Sequence, residues 1–275
     1  MNIITFIESF TDDAAIHATA SRRQSLAKLG NLGTAAAVQG GLLGLLLAPG
    51  KTSAATLSTL NDDTIVSALQ LALTLEYLDS EFYQIGLDTD GLIPEGTDRT
   101  AFTQIVQNEN AHVQTLINAL GGTDSPNYFE RPTFDYTAGG IFDPFNNYDQ
   151  FLALSQSFED TGVRAYKGQA HNLMSDPALL TTALQIHATE ARQASEVRRL
   201  RAQKGWITGN DRGGLPPQAQ PVYDGEENIS QATFNAGTVN NGTAGPAISG
   251  TAATEAFDEP LTREQVLAIA GMFMP

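Results

Sequence analysis

The chain has no cysteine among its 275 residues. That excludes disulfides, thiolate nucleophiles, zinc knuckles and Cys-ligated iron–sulfur clusters, and it restricts any bound metal to oxygen and nitrogen ligands. Basic residues are scarce as well: 15 Lys and Arg stand against 31 Asp and Glu, a net charge of -16. A chain of that charge is not attracted to phosphate backbones or anionic lipid, so no nucleic-acid partner is expected. Apolar content is not lacking. Hydrophobic residues make up 41% and charged ones 17%, which is too apolar for a disordered chain, and the length suffices for a large buried core.

The start of the chain reads as an address. Ser21-Arg22-Arg23-Gln24-Ser25-Leu26-Ala27-Lys28 precedes an uncharged stretch from Leu29 to Gly50, the basic-then-apolar order of an export signal. Gly30, Gly33, Gly40, Gly41 and Gly44 dilute that stretch, so lipid would hold it weakly. The paired arginines resemble a twin-arginine signal, and Ser53-Ala54-Ala55 offers the small residues of a cleavage site, which places residues 1–55 in a removed segment. That segment holds four of the 15 basic and three of the 31 acidic residues, so the remainder has 11 against 28, net -17. A bacterial exported protein, periplasmic or extracellular, is expected, with no stable membrane insertion of the mature chain.

From Asp62 to Gly205 apolar residues recur at spacings of three and four, the period of amphipathic helices. Four are expected: Asp62 to Ile85, stopped by Gly86; from after Thr97 to the Gly121-Gly122 pair; from an Asn147 cap; and from an Asp176 cap followed by Pro177, ending at Gly205. Each inner stripe carries one glutamate near its middle: Glu76, Glu109, Glu159 and Glu190. A buried carboxylate without a partner is costly, so four at similar depth call for a shared counter-charge.

The order is duplicated. Glu76 precedes Glu109-Asn110-Ala111-His112 by 33 residues, and Glu159 precedes Glu190-Ala191-Arg192-Gln193 by 31. Residues three apart share a helix face, so one Glu-x-x-His offers a carboxylate and an imidazole to the same cation. One Glu from each of two helices plus Glu-x-x-His from the other two is the ligand set of ferritin-like di-iron and di-manganese bundles. The segment from Leu60 to Arg201 resembles the exported ferritin-like domain family that includes desiccation-related proteins. The likeness is carried by Leu75-Glu76-Tyr77-Leu78-Asp79-Ser80-Glu81-Phe82-Tyr83, Glu109-Asn110-Ala111-His112, Phe158-Glu159-Asp160-Thr161-Gly162 and Ile186-His187-Ala188-Thr189-Glu190. It implies an all-α, ferritin-like four-helix bundle over residues 56–205. By motif, Glu76, Glu109, His112, Glu159 and Glu190 would bind one or two iron or manganese ions, in Fe(II) oxidation or reaction with oxygen or peroxide during stress protection. The pattern departs at Gln193, where imidazole is expected and a neutral amide stands. An alternative is therefore a metal-free scaffold with a degenerate site.

Other polar residues have plainer readings. Asp79 and Glu81 fall off the inner stripe and read as solvated, and Tyr77, Tyr83 and Tyr166 as core-edge aromatics. His171 suits a helix C-terminus, and His187 a flanking polar position. Gly121 to Asn147, with its prolines and aromatics, reads as a packed crossover joining the helix pairs. Residues 206–275 form a loop-rich extension, in which Asp224-Gly225-Glu226-Glu227 reads as a solvated turn. A short last helix opens on a Thr262/Gln265 capping box. The oligomeric state is left open.

Overall fold

The apolar periodicity resolves into four long helices in a computed structural model that describes residues 65–238 and 248–275. The expected export signal and the Asp62 helix start lie outside the described residues. The helices are α1 (Ile65–Asp88), α2 (Thr97–Ala119), α3 (Tyr148–Gln169) and α4 (Pro177–Leu200). α1 lies along α2 and α3 along α4, and the pairs join through α1 against α3 and α2 against α4. The molecule is thus a ferritin-like helical bundle with a loop-rich C-terminal extension. Among the described residues no helix is long and apolar enough to cross a membrane.

Local chemistry sets the ends. The Asn147 side chain accepts from the Gln150 amide, and Asp176 accepts from Ala178 and Leu179 ahead of Pro177. α2 closes where Gly121 takes φ 100° and the Gly122 amide reaches the Ile117 carbonyl, a left-handed cap that glycine adopts without steric cost. Two expected stops are corrected. Gly86 does not end α1, which runs on to Asp88; a Cβ at Gly86 would collide with the Phe151 ring, so the glycine serves close helix packing. α4 ends at Leu200, before Gly205, because Ala202 takes φ 55° and Gln203 bonds back to Arg198.

One end of the bundle is aromatic. Phe82 stacks on Phe151 with centroids 4.7 Å apart, and Phe102, Phe158 and Tyr136 pack around them. The other end is aliphatic, built from Leu69, Leu73, Leu116, Leu120 and Leu179. The crossover packs as expected, burying Tyr136 and Phe142, with the Tyr136 hydroxyl donating to the Leu78 carbonyl. The extension carries a two-stranded ribbon, β1 (Ser230–Gln231) with β2 (Phe234–Asn235), then α5 (Gly250–Thr254) and α6 (Arg263–Ala270). The Thr262/Gln265 box is formed, and α6 docks Val266 and Ile269 beside Leu71, Leu75 and Ala165.

Candidate metal centre

Between the aromatic and aliphatic ends each long helix turns a glutamate inward. Glu76, Glu109, Glu159 and Glu190 are all 0–1% exposed. Because Glu109 and His112 are three residues apart on α2, they share a face, and the imidazole swings into the bundle. His112 Nδ1 lies 3.1 Å from Glu76 Oε2, 3.3 Å from Glu190 Oε1 and 3.4 Å from Glu109 Oε2. A ring nitrogen forms one hydrogen bond, and Glu76 Oε2 is the nearest of the three carboxylate oxygens to it. Glu109 Oε2 and Glu190 Oε1 are left without a hydrogen-bond partner. Ligand atoms of Glu76, Glu109, His112 and Glu190 all lie within 4.8 Å of one another.

Glu159 stands outside that group of four. Its Oε1 accepts from the Tyr83 hydroxyl at 2.6 Å, and its Oε2 has no partner. The Tyr166 hydroxyl makes the matching bond to Glu76 Oε1. In α1 and in α3 the tyrosine follows the glutamate by seven residues, and the helices run antiparallel, so each tyrosine braces the other helix's glutamate. Both phenols are buried. They are donors to the centre's carboxylates, a role that the edge-aromatic reading missed; the equal spacing in the two halves was its signal.

Asp79 is a second correction. It is 3% exposed rather than solvated, and its Oδ1 has no partner. One-face periodicity fails here because α1 is covered all round: every residue from Leu73 to Ser80 is buried. The crossover bonds Gln70, Tyr77 and Leu78 on one flank, and α3 meets Tyr83 and Gly86 on the other, the flank on which Asp79 falls at about 100° per residue. Glu81 is half-buried, within reach of Arg131 and Tyr136. Gln193 is buried; its amide nitrogen donates to Glu109 Oε1, while its own Oε1 is unpartnered. His187 bonds the Val163 carbonyl at 3.0 Å and does not enter the centre. His171 is exposed.

Burial pushes the Glu109 carboxyl up to about 8, reinforced by the Glu76 charge. Burial, and then the Glu109 charge, raise Glu159 and Glu190 well above the usual range. For Glu76 burial is outweighed by His112, which holds it low. His112 is raised despite burial, first by Glu76. The metal-free cluster thus holds protons on its carboxylates, and a cation would take their place.

Residues 64–203 match the family model of the ferritin-like domain. The chain belongs to that family. No relative among the curated proteins matches it. The residues fit the family's metal chemistry: oxygen donors and one imidazole converge, and two of the converging carboxylate oxygens are orphaned. The buried Glu and His group could hold a metal ion.

Proposed function

We propose that the protein is an exported ferritin-like protein of the desiccation-related type that binds one or two iron or manganese ions and oxidises Fe(II), or reacts with oxygen or peroxide, in stress protection. The observation that carries this reading is the approach of three carboxylates to His112 Nδ1, with Glu109 and Glu190 each presenting an unpartnered oxygen. Glu76 and Glu159 would be terminal ligands, each held by a buried tyrosine, and Glu109 and Glu190 would bridge. Bound iron would supply the one-electron chemistry with oxygen or peroxide that carboxylates and imidazole lack. The chain supplies position and dryness. The aromatic and aliphatic ends exclude water, and an apolar cavity lined by Leu69, Leu116 and Ile186 borders Tyr166, the residue that holds Glu76. The export assignment rests on Arg22-Arg23 and the apolar stretch after them.

A second reading, a metal-free scaffold, is favoured by the hydrogen bond from Gln193 to Glu109, through which inner polar groups begin to satisfy one another. One experiment separates the two. Protein recovered from the exported fraction of its host, prepared without chelators, is measured by intact mass and by elemental mass spectrometry. A chain starting near Thr56 with one or two equivalents of iron or manganese is expected, and Glu109→Ala should lose most of that metal. No metal, with no uptake of Fe(II) or Mn(II) on reconstitution, would make the scaffold the correct reading.

A further inference from the structure

The two halves of the bundle are related by a repeat, and they differ at two places inside the centre. In α4 the residue three after Glu190 is Gln193, an amide where α2 has the imidazole of His112. In α3 the residue three after Glu159 is Gly162, where a Cβ would collide with the Glu190 carboxyl. The matching place in α1, three after Glu76, is Asp79. One half has lost a nitrogen donor and the other has a carboxylate where its counterpart leaves space.

Asp79 lies outside the four residues whose ligand atoms are within 4.8 Å of one another, but it shares their burial and has an oxygen to offer. It is 3% exposed, and its Oδ1 has no hydrogen-bond partner. It is one turn from Glu76 and one turn from Tyr83, whose hydroxyl bonds Glu159, so it sits on α1 between the two terminal glutamates. The charges that act on it are Glu109, Glu190 and Glu76, while Glu159 in turn feels Glu109 and Asp79. Glu159 Oε2 and Gln193 Oε1, also buried, are unpartnered as well.

We propose that Asp79 is a metal ligand, forming with Glu159 and the bridging Glu109 and Glu190 a second, all-oxygen cation position beside the one served by His112. This rests on the reading of the centre as a metal site and adds its second position. Charge supports it. Glu76, Asp79, Glu109, Glu159 and Glu190 are five buried carboxylates, and among the described residues none of them pairs with Lys or Arg. With a neutral imidazole, one divalent ion balances two of those five carboxylates when ionised and two ions balance four; those left over keep their protons. Ionising a carboxylate at this depth without a cation costs several kcal/mol, so the second ion is what would let the remaining pair give up their protons. Without a nitrogen donor, the second position suits a hard cation such as Mn(II).

The test loads the full chain with Mn(II) alone, anaerobically. Bound metal is counted after dialysis, and electron paramagnetic resonance distinguishes a spin-coupled pair from isolated ions. The wild type should hold two Mn(II) as a coupled pair, and Asp79→Asn, of the same volume, should hold one isolated ion. Asp79→Asn combined with Gln193→His should return to two, and far-UV circular dichroism checks that each variant is folded. A wild type with one ion, or a folded Asp79→Asn that still binds the coupled pair, overturns the role of Asp79 and leaves the His112 site standing. A wild type that binds none overturns the metal reading itself.

Discussion

Glu109 is the residue whose protonation decides how the metal-free centre responds to pH. Burial and then the Glu76 charge raise its carboxyl from the ordinary 4.5 to about 8. Asp79, Glu159 and Glu190 are raised as well, each chiefly by burial. Between 4.5 and about 8 the folded, metal-free chain therefore holds more protons than the unfolded chain. The stability this contributes is complete below 4.5 and is lost as pH rises through about 8. His112, raised above its ordinary 6.5, acts in the same direction from that value upward; Glu76, held low, acts oppositely, but below 4.5. The metal-free protein should thus melt at falling temperature from pH 5 to pH 8. Mn(II) binds the ionised carboxylates, so its stabilising effect should grow over the same interval. Differential scanning fluorimetry with and without Mn(II) checks both, and a metal-free melting temperature that climbs with pH would contradict this proton inventory. At this scale the sequence was legible where a period repeats: Glu76, Glu109, His112 and Glu190 converge as their register implies. Asp79 was not, because the inner stripe read from α1 alone leaves out the flank that α3 covers. Gln193 was legible as a departure, but its bond to Glu109 depends on how closely α2 and α4 approach.

Helix existence and capping followed from side-chain pattern, but where α1 ends was settled by a contact with another helix. Glycine in a helix interior is normally less stable than alanine by about 1 kcal/mol, which is why it reads as a stop. Here the missing Cβ lets the Phe151 ring lie against the α1 backbone, at the centre of the stack with Phe82, Phe102 and Tyr148. Gly86→Ala should therefore invert the usual propensity gain. Forcing a methyl into that contact costs about 1–3 kcal/mol, so the variant should unfold at lower urea than the wild type, and adding Phe151→Leu should relieve part of the loss. If Gly86→Ala instead raises the urea midpoint, α1 and α3 are further apart than this contact requires. Propensity is local information and the Phe151 contact spans more than sixty residues of chain, so no reading of α1 alone contains it.

Across the whole molecule, α3 is the shared wall between the metal centre and the extension. Glu159 and Gly162 face inward, while Asp160 and Arg164 face the loops that follow Trp206. Asp160 pairs with Arg198 and accepts from the Tyr223 hydroxyl at 2.7 Å. Arg164, 1% exposed, meets Glu226 at 2.7 Å and donates to the carbonyls of Val222, Asp224 and Glu259. Glu226 is therefore buried, not part of a solvated turn. Its partner is 62 residues earlier in the chain, and the Gly- and Pro-rich stretch after Trp206 that carries Glu226 has no period from which the pairing could be read. Removing one member of such a pair leaves a buried charge uncompensated, at a cost of about 3–5 kcal/mol, whereas replacing both with apolar residues of similar volume is often neutral. Arg164→Met should thus loosen the extension, with limited proteolysis cutting within residues 207–238 well before the bundle helices. Arg164→Met with Glu226→Leu should restore much of the protection. The carbonyls that Arg164 also serves would stay unsatisfied in the double variant, so restoration should fall short of wild type. Equal protease resistance in wild type and Arg164→Met would mean that the apolar docking of Leu261, Val266 and Ile269 on α1 and α3 holds the extension without the guanidinium. Because Asp160 and Glu159 are adjacent on one rigid helix, loosening the outer face should also weaken Mn(II) binding at the inner one, and by less than Glu109→Ala does, since every ligand remains present.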